Sequence, residues 1–354
     1  MRLGVNLGYW DRGAAGHDMV AIAVEADRLG FDSVWVAEAY GSDAPSMLAW
    51  IGALTEQVHL GSAVMQIPAR TPAMTAMTID TMSGGRFRLG LGVSGPQVSE
   101  GWHGVRFASP LGRTRDYVDI VRSALRRERV THAGPHYELP LPDGPGKALK
   151  LGSRPLRADV PVYLAAVGPR NLTLTGEIAD GWLAIFLSPE HAREEIRLIA
   201  EARRAAGRGT TEDPLSGFDV VSSTPVVLVD DVSEAADHLR DYCALYIGGM
   251  GSREQNFYNR LACRMGFEEE AARIQDLYLA GHHREAAAAV PIDFIDETAL
   301  LGSPQRVARR LGRYEEAGVT TLAVATGGRM TRQQATATLA VMADLHAARG
   351  APGA

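Results

Sequence analysis

Eight short, nearly continuous apolar runs recur along this chain, and between them the apolar residues fall into helical spacing. The runs are RLGVNLGY (2–9), SVWVAE (33–38), VHLGSAVMQI (58–67), FRLGLGVS (87–94), PVYLAAVG (161–168), GWLAIFL (181–187), FDVVSSTPVVLV (218–229) and TTLAVAT (320–326). A strand that is apolar on both faces belongs to a sheet covered on both faces, and such sheets are parallel. Eight strands with intervening helices close most naturally into a (β/α)8 TIM barrel; an open doubly wound sheet is the competing arrangement. Helix punctuation agrees with the alternation. AIAVEADRLG stops at Gly30, and PAMTAMTIDTMSGG starts at Pro72 and stops at Gly84–Gly85. SPQRVARRLGRYEEAG has Ser303 as N-cap, Pro304 in the first turn and Gly318 at the stop.

Two stretches break the rhythm. Residues 131–160 are rich in Pro and Gly and read as a long excursion, of the kind that is usually functional or mobile. Residues from about 233 to 300 read as a largely helical insertion. The expectation is one barrel domain over 1–354 with a frayed tail at 349–354.

GLGVSG, residues 90–95, matches the G-x-G-x-x-G of dinucleotide-binding Rossmann domains. That fingerprint needs an acidic residue at the tip of the next strand. Asp116 stands at about the right distance. It falls, however, in LGRTRDYVDIVRSALRR, where Tyr117, Val118, Ile120, Val121 and Leu125 repeat with helical spacing. The Rossmann reading fails on context. Gly90 and Gly92 then belong to the fourth barrel strand, where small residues leave room for neighbouring chain, and Ser94, Gly95 and Pro96 form its end.

A net charge of −6 with no basic block argues against a nucleic-acid partner. No apolar run approaches the ~20 residues that span a bilayer, and MRLGVNLGYWDRG has neither an h-region nor a cleavage site. Cys243 and Cys263 form no C-x-x-C pair. They read as core thiols of a cytoplasmic protein without a structural metal.

Barrel active sites lie at the C-terminal ends of the strands. The candidates there are Tyr9 and Trp10; Glu38, Ala39 and Tyr40; Met65, Gln66 and Pro68; Ser94, Gly95, Pro96 and Gln97; and Gly168, Pro169, Arg170 and Asn171. Such a mouth holds few ionisable groups and no cluster with metal-ligand spacing, so no hydrolytic dyad or two-metal site is visible. Its Gly, Ser, Gln, Tyr and Trp suit a planar cofactor that carries the reaction. After the fifth strand, AAVGPRNLTLTGEIADG runs through a glycine turn straight into a helix. The unpaired N–H groups of that helix suit a phosphate; the alternative is an ordinary capped turn.

These residues resemble the luciferase-like flavin and deazaflavin oxidoreductases, and more closely the branch that uses coenzyme F420, related to methylenetetrahydromethanopterin reductase. The matching pieces are GFDSVWVAEAYGSDA, VHLGSAVMQIPARTPAMTAMTIDTMSGGRFRLGLGVSGPQVSEGWHG, VYLAAVGPRNLTLTGEIADGW, IGGMGSREQNFYN and LYLAGHHREAAAAVP. The resemblance implies that the deazaflavin ring stacks on a bulge in strand three, Ser62–Ala63–Val64–Met65, with a non-prolyl cis peptide between Ala63 and Val64. It places Glu38 near the ring and Ser94, Gly95 and Gln97 beside the cofactor. It gives the cofactor phosphate and tail to Ala166, Val167, Gly168, Pro169 and Asn171.

Two departures bear on the chemistry. Sugar-phosphate and alcohol dehydrogenases of the family carry a His after the acidic residue, where this chain has Ala39. They carry a catalytic Glu after strand four, where this chain has Pro96. The resemblance therefore implies a reductase delivering hydride to an activated C=C, C=O or C=N bond, with Glu38, Tyr40 and His103 as catalytic candidates and solvent as a further proton source. The alternatives are an FMN-dependent monooxygenase on the same fold and a non-catalytic cofactor- or ligand-binding protein. Tyr9, Trp10, Tyr40 and Trp102 are rim candidates. Arg253, in IGGMGSREQNFYN, is a candidate partner for an acidic cofactor tail, and that segment either caps the substrate side or forms a dimer surface. Asp80 reads as structural. The expected assembly is a homodimer with a small-molecule substrate.

Overall fold

The structure, a computed structural model, describes residues 1–9, 15–82, 84–326 and 330–350; Trp10 and the last four residues lie outside them. Each of the eight apolar runs contains a strand of one barrel. These are Arg2–Gly8, Ser33–Val36, His59–Ser62 resumed at Met65–Gln66, Phe87–Gly92, Val162–Ala165, Gly181–Ile185, Asp219–Val227 and Thr321–Ala325. All neighbours pair in parallel, and the eighth strand pairs back with the first from Arg2↔Thr321 to Asn6↔Ala325. That closure rules out the open sheet.

Alternation along each strand divides the core into two shells. Outward residues such as Val5, Val34, Leu60, Leu89, Val162, Val220 and Leu322 pack beneath the helices. Inward residues Trp35, Tyr163, Leu183, Val221 and Ala323 fill the barrel, with Ala63, Val64 and Ala165 only partly covered above them. The N-terminal end is plugged by charge that is paired: Arg88 with Asp32 at 2.7 Å, Arg2 with Asp219 at 2.8 Å, and the Tyr163 hydroxyl donating to Asp219 at 3.0 Å.

The third strand is broken. Between its two segments the Ala63–Val64 peptide is cis, as the resemblance implied. The break leans on the fourth strand, which explains the glycines of GLGVSG. A Cβ at Gly90 would lie 1.8 Å from the Ser62 carbonyl oxygen, and one at Gly92 would lie 2.4 Å from Val64 Cγ2. The Ser62 hydroxyl donates to Gly90 O at 2.8 Å and accepts from Gly90 N at 2.9 Å, clamping the two strands together. Pro96 opens a short helix, Pro96–Gly101, with Gly95 as its N-cap, and Asp116 sits on the helix Pro110–Leu125. Asp80 lies on the helix Pro72–Met82.

The excursion at 131–160 contains one small antiparallel pair, His132–Ala133 with Glu138–Leu139. The insertion carries a π-helical turn, Leu245–Gly249, and the helices Phe257–Arg264, Glu268–Leu279, His283–Ala288 and Ile292–Thr298. Its Tyr246, Ile247, Leu261 and Phe294 share a second apolar core with Phe186 and Leu301. Cys243 is buried there, and both cysteines are free thiols. Arg349 and Gly350, expected in the frayed tail, continue the last helix, and Arg349 pairs with Glu315 at 2.8 Å. Among the described residues no helix is long and apolar enough to cross a membrane.

Overpacking a close-packed site typically costs about 1–3 kcal/mol. Gly90→Ala is expected to lose at least that much, and more than Gly92→Ala. The reason is that its Cβ meets backbone whereas that of Gly92 meets a side-chain methyl. Urea denaturation of both variants measures the difference.

Candidate active site

The mouth of the barrel has a floor of small side chains. Ala63, Val64 and Ala165 lie over Trp35 and Tyr163, whose rings meet edge to face with centroids 5.1 Å apart. Two half-buried polar residues share this level. Asn6 Nδ2 donates to Ser223 Oγ at 2.8 Å, and Asn6 Oδ1 accepts from Gly8 N at 2.9 Å. Sequence reasoning missed this pair. Its only signal was a polar residue in the middle of each of two apolar strands.

Glu38 follows the second strand and is 5 % exposed. Its carboxylate accepts from Ala44 N at 3.0 Å, Gln66 N at 2.7 Å, and both Arg70 terminal nitrogens at 2.7 and 3.1 Å. It thereby ties the loop after strand two to the point where strand three resumes. Both oxygens are engaged, so the group is built to hold chain in place. Gln66 carries the connection onward: its Nε2 donates to Ser94 Oγ at 3.2 Å, and its Oε1 accepts from His103 Nε2 at 2.9 Å. Ser94 sits in the left-handed region, φ 63°. In a neutral His103 this arrangement leaves Nδ1 as the acceptor. Gln66 had no assigned role in the sequence reading, yet it joins three strand ends.

The other candidates divide by where their side chains point. Met65 is fully buried in the outer core and the Ser62 hydroxyl is engaged by Gly90, so each offers the mouth only backbone. Tyr40 and Trp102 stand out at the rim, 63 % and 66 % exposed, with Tyr40 close enough to Tyr278 of the insertion to affect its ionisation. Gln97 is exposed on the short helix. The amide of Ala39 donates to Ser42 O at 3.3 Å.

At the fifth strand, Ala166 and Val167 lead to Gly168, the N-cap of the helix Pro169–Ile178. A Cβ at Gly168 would meet nothing within 4 Å, so the space before this helix is open. Asn171 Nδ2 donates to Ala165 O at 3.2 Å, bracing the turn. Arg170 is exposed on the first helical turn. Arg264, 97 residues downstream of Val167, donates to its carbonyl at 2.7 Å and adds a second cation that local sequence could not place there.

The insertion contributes an aromatic wall. Phe186, in the left-handed region at the end of strand six (φ 52°), packs on Tyr242, Tyr246 and Tyr258 with centroids 5.3, 5.4 and 6.2 Å away. Tyr246 lies 4.8 Å from both Tyr242 and Tyr258. Tyr9 stands close enough to this cluster to act on the ionisation of all three tyrosines. Burial pushes the hydroxyls of Tyr242, Tyr246 and Tyr258 well up, so all three keep their protons. The segment IGGMGSREQNFYN builds this wall from behind. Asn256 Nδ2 donates to the Tyr246 and Ile247 carbonyls at 3.0 and 2.9 Å, and its Oδ1 caps the helix that carries Tyr258. Arg253 in the same segment is exposed and ion-paired with Asp276.

A parallel barrel with a broken third strand, a flat uncharged floor and an open helix N-terminus flanked by arginines is a cofactor-binding barrel. The family model for luciferase-like monooxygenases matches residues 3–321. A Mycobacterium tuberculosis protein assigned as a coenzyme F420-dependent oxidoreductase is 45% identical over 336 residues, 92% of this chain and 95% of that one. The 5,10-methylenetetrahydromethanopterin reductase of Archaeoglobus fulgidus is 27% identical over 83% of this chain and 85% of its own. The solved coenzyme F420-dependent tetrahydromethanopterin reductase of Methanopyrus kandleri has the same fold, with a TM-score of 0.80 at 23% identity over 96% of this chain and 97% of that one. The chain belongs to the luciferase-like monooxygenase family.

Removing one partner of a buried ion pair typically costs about 3–5 kcal/mol. Glu38→Gln leaves Arg70 without its counter-charge, in a site where the two side chains are 3% and 16% exposed. A loss of stability in that range is expected by urea denaturation. A loss below 1 kcal/mol would show that Glu38 does not anchor the mouth.

Proposed function

We propose that this protein is a coenzyme F420-dependent oxidoreductase that works as a reductase, reducing an activated C=C, C=O or C=N bond of a small organic molecule. The similarity to the mycobacterial oxidoreductase across nearly the whole of both chains carries the cofactor assignment. The residues present fit such a group. Ala63, Val64 and Ala165 offer a planar tricyclic ring a flat apolar seat. Ser62 and Met65 support it through backbone, and Ser94, Gly95 and Gln97 border it. Ala166, Val167, Gly168, Pro169 and Asn171, with Arg170 and Arg264, suit the phosphate and acidic tail, because a helix N-terminus and two guanidinium groups favour an anion. When bound in its reduced form, the deazaflavin supplies hydride, two electrons at a time.

The chain's own part is to seat the ring, keep the tail anchored and provide a proton at the open side of the floor. Pro96 and Ala39 lack the carboxylate and imidazole that would take a proton from an alcohol, which favours reduction over oxidation. In this reading Glu38 is a positioning residue, since its oxygens are saturated by Ala44, Gln66 and Arg70. His103 and Tyr40 stand at the edge of the same mouth. The chain is read as a homodimer: Trp50 and Leu54 on the helix Ala44–Leu54, with Met74 and Met77 on Pro72–Met82, expose apolar area on two helices that pack together. A cytoplasmic location fits the two free thiols.

Anaerobic titration tests the reading. Coenzyme F420 is expected to bind at least tenfold more tightly than FMN, with no flavin-driven oxygen uptake; tight FMN binding with oxygen consumption would make the protein a monooxygenase instead. Binding of the reduced deazaflavin without its oxidation by any of a broad panel of electrophiles would favour a carrier. Gly168→Asp sets a carboxylate at the open helix N-terminus, in a backbone conformation (φ −94°) that aspartate tolerates. It is expected to weaken F420 binding by tenfold or more while the melting temperature stays unchanged. Sedimentation equilibrium is expected to give twice the mass of one chain.

A further inference from the structure

We propose that His103 delivers the proton of the reduction from Nδ1, and that Gln66 is the positioning residue that holds its Nε2 as the N–H. This rests on the reductase reading above.

Gln66 reaches the mouth from the strand that carries the floor. It lies two residues beyond Val64 and pairs across to Gly92, the glycine against which Val64 leans. Met65 and Ile67 on either side of it are packed in the outer core, so alternation turns Gln66 to the inner side. From there its Oε1 meets His103 Nε2 at 2.9 Å, and its Nε2 donates to Ser94 Oγ at 3.2 Å. Its backbone amide donates to Glu38 at 2.7 Å. His103 is thereby held at the edge of the floor, although its own loop follows strand four.

A side-chain amide offers an acceptor on one side and donors on the other. With its NH2 group turned to Ser94, Gln66 presents its carbonyl oxygen to the ring, and His103 donates from Nε2. Imidazole in this tautomer and imidazolium both carry a proton on Nε2, so the bond survives when the ring titrates. Turned the other way, the amide would meet imidazolium donor to donor. The proton that comes and goes is therefore the one on Nδ1, which has no hydrogen-bond partner among the described residues. Of the charged groups on the surrounding elements, Glu38 and Arg70 behind Gln66 pair with each other. Glu100, on the helix before His103, accepts from Phe107 N at 3.0 Å, and Arg106 is exposed.

Tyr9 and Tyr40 share this mouth, and His103 differs from them in two ways. It is bonded to the strand that carries the floor, whereas Tyr40 stands 63 % exposed at the rim. Giving up a proton leaves an imidazole neutral but charges a phenol, and imidazole is the side chain whose charge ordinarily changes near neutral pH.

The step balances. One end of the substrate double bond takes hydride and a C–H bond forms there, the two-electron reductant being the reduced deazaflavin. The displaced π pair moves to the other end. The Nδ1–H bond of the imidazolium breaks, and its proton forms the second new bond. The neutral ring keeps its Nε2–H on Gln66 and regains a proton at Nδ1 from water.

The test uses full-length protein labelled with 15N-histidine, and His103→Asn assigns the ring resonances. Neutral His103 is expected as the Nε2–H tautomer. In Gln66→Glu a carboxylate faces the ring, so its titration midpoint should rise by about one to two pH units. In Gln66→Met, of similar length but without the acceptor, the midpoint should fall by about one unit; this variant decides the point if the buried glutamate unfolds the chain. A neutral Nδ1–H tautomer, or an unmoved midpoint in either folded variant, overturns the assignment. For every enone or imine the wild type reduces, His103→Asn should slow oxidation of reduced F420 by a hundredfold or more at unchanged F420 affinity. The alkaline limb of the pH–rate profile should move up in Gln66→Glu together with the midpoint, because a raised midpoint keeps the imidazolium present to higher pH. Wild-type rates in His103→Asn, or a limb that does not follow the midpoint, would pass the proton to a phenol of the same mouth and overturn the proposal. Failure of the wild type to bind F420, or to reduce any of these compounds, would instead sink the underlying functional reading.

Discussion

The seating of the broken third strand on the glycines of the fourth is the contact on which the rest of the mouth depends. Gly90 and Gly92 leave the space into which Ser62–Val64 leans, because a Cβ at either position would overlap that segment. Ser62 locks the register with a two-way bond to Gly90. Where the strand resumes, Gln66 N is caught by Glu38, and the Gln66 side chain then fixes Ser94 and His103. Floor, strand-four turn and rim histidine are positioned in sequence from one irregularity. A regular third strand would have given a closed, filled barrel with nothing flat at its mouth.

The charges of the barrel are sorted by end. Arg2, Asp32, Arg88 and Asp219 neutralise one another at the N-terminal end. At the C-terminal end the one deeply buried carboxylate, among the described residues named above, is Glu38, and Arg70 cancels it. What remains near the floor is amide and hydroxyl: Asn6, Ser223, Gln66, Ser94 and the tyrosines. Such groups orient ligands and donate hydrogen bonds, but they do not extract protons from alcohols. The guanidinium groups of Arg170 and Arg264 lie apart, at the fifth strand, where a helix N-terminus already favours negative charge.

Most of the fold was legible, since strands buried on both faces leave continuous apolar runs and the capping residues marked the helix ends. The site was legible only where its residues are local. VHLGSAVMQI reads as one unbroken strand; its bulge came from the family resemblance, not from the pattern. The glycines of GLGVSG were visible as a motif, but their partners Ser62 and Val64 lie on another strand. Asn6 and Ser223 are 217 residues apart, and Val167 and Arg264 are 97 apart. No spacing rule connects such pairs. Tyr9 was recognisable as a rim residue, whereas Tyr246, which stands near it, sits in the insertion.

The insertion itself is better understood as a bracket for aromatic rings than as a cap over the barrel. A π-helical turn at Leu245–Gly249 disturbs the regular ladder, and Asn256 answers by donating to two of its carbonyls. Gly248 and Gly249 admit Tyr278 against the same turn, since a Cβ at either would lie 2.5 or 2.3 Å from that side chain. Tyr246 belongs to this anchored turn, Tyr242 lies on the helix Arg240–Ala244 just before it, and Asn256 also caps the helix that brings in Tyr258. Phe186, from the barrel proper, completes the packing. The conspicuous segment IGGMGSREQNFYN thus serves the site at one remove: its asparagine and glycines fix the backbone, and the backbone fixes the hydroxyls. Side chains placed at a barrel mouth need such a supporting layer, and here it is drawn from more than 230 residues away in sequence, where Tyr246 stands near Tyr9.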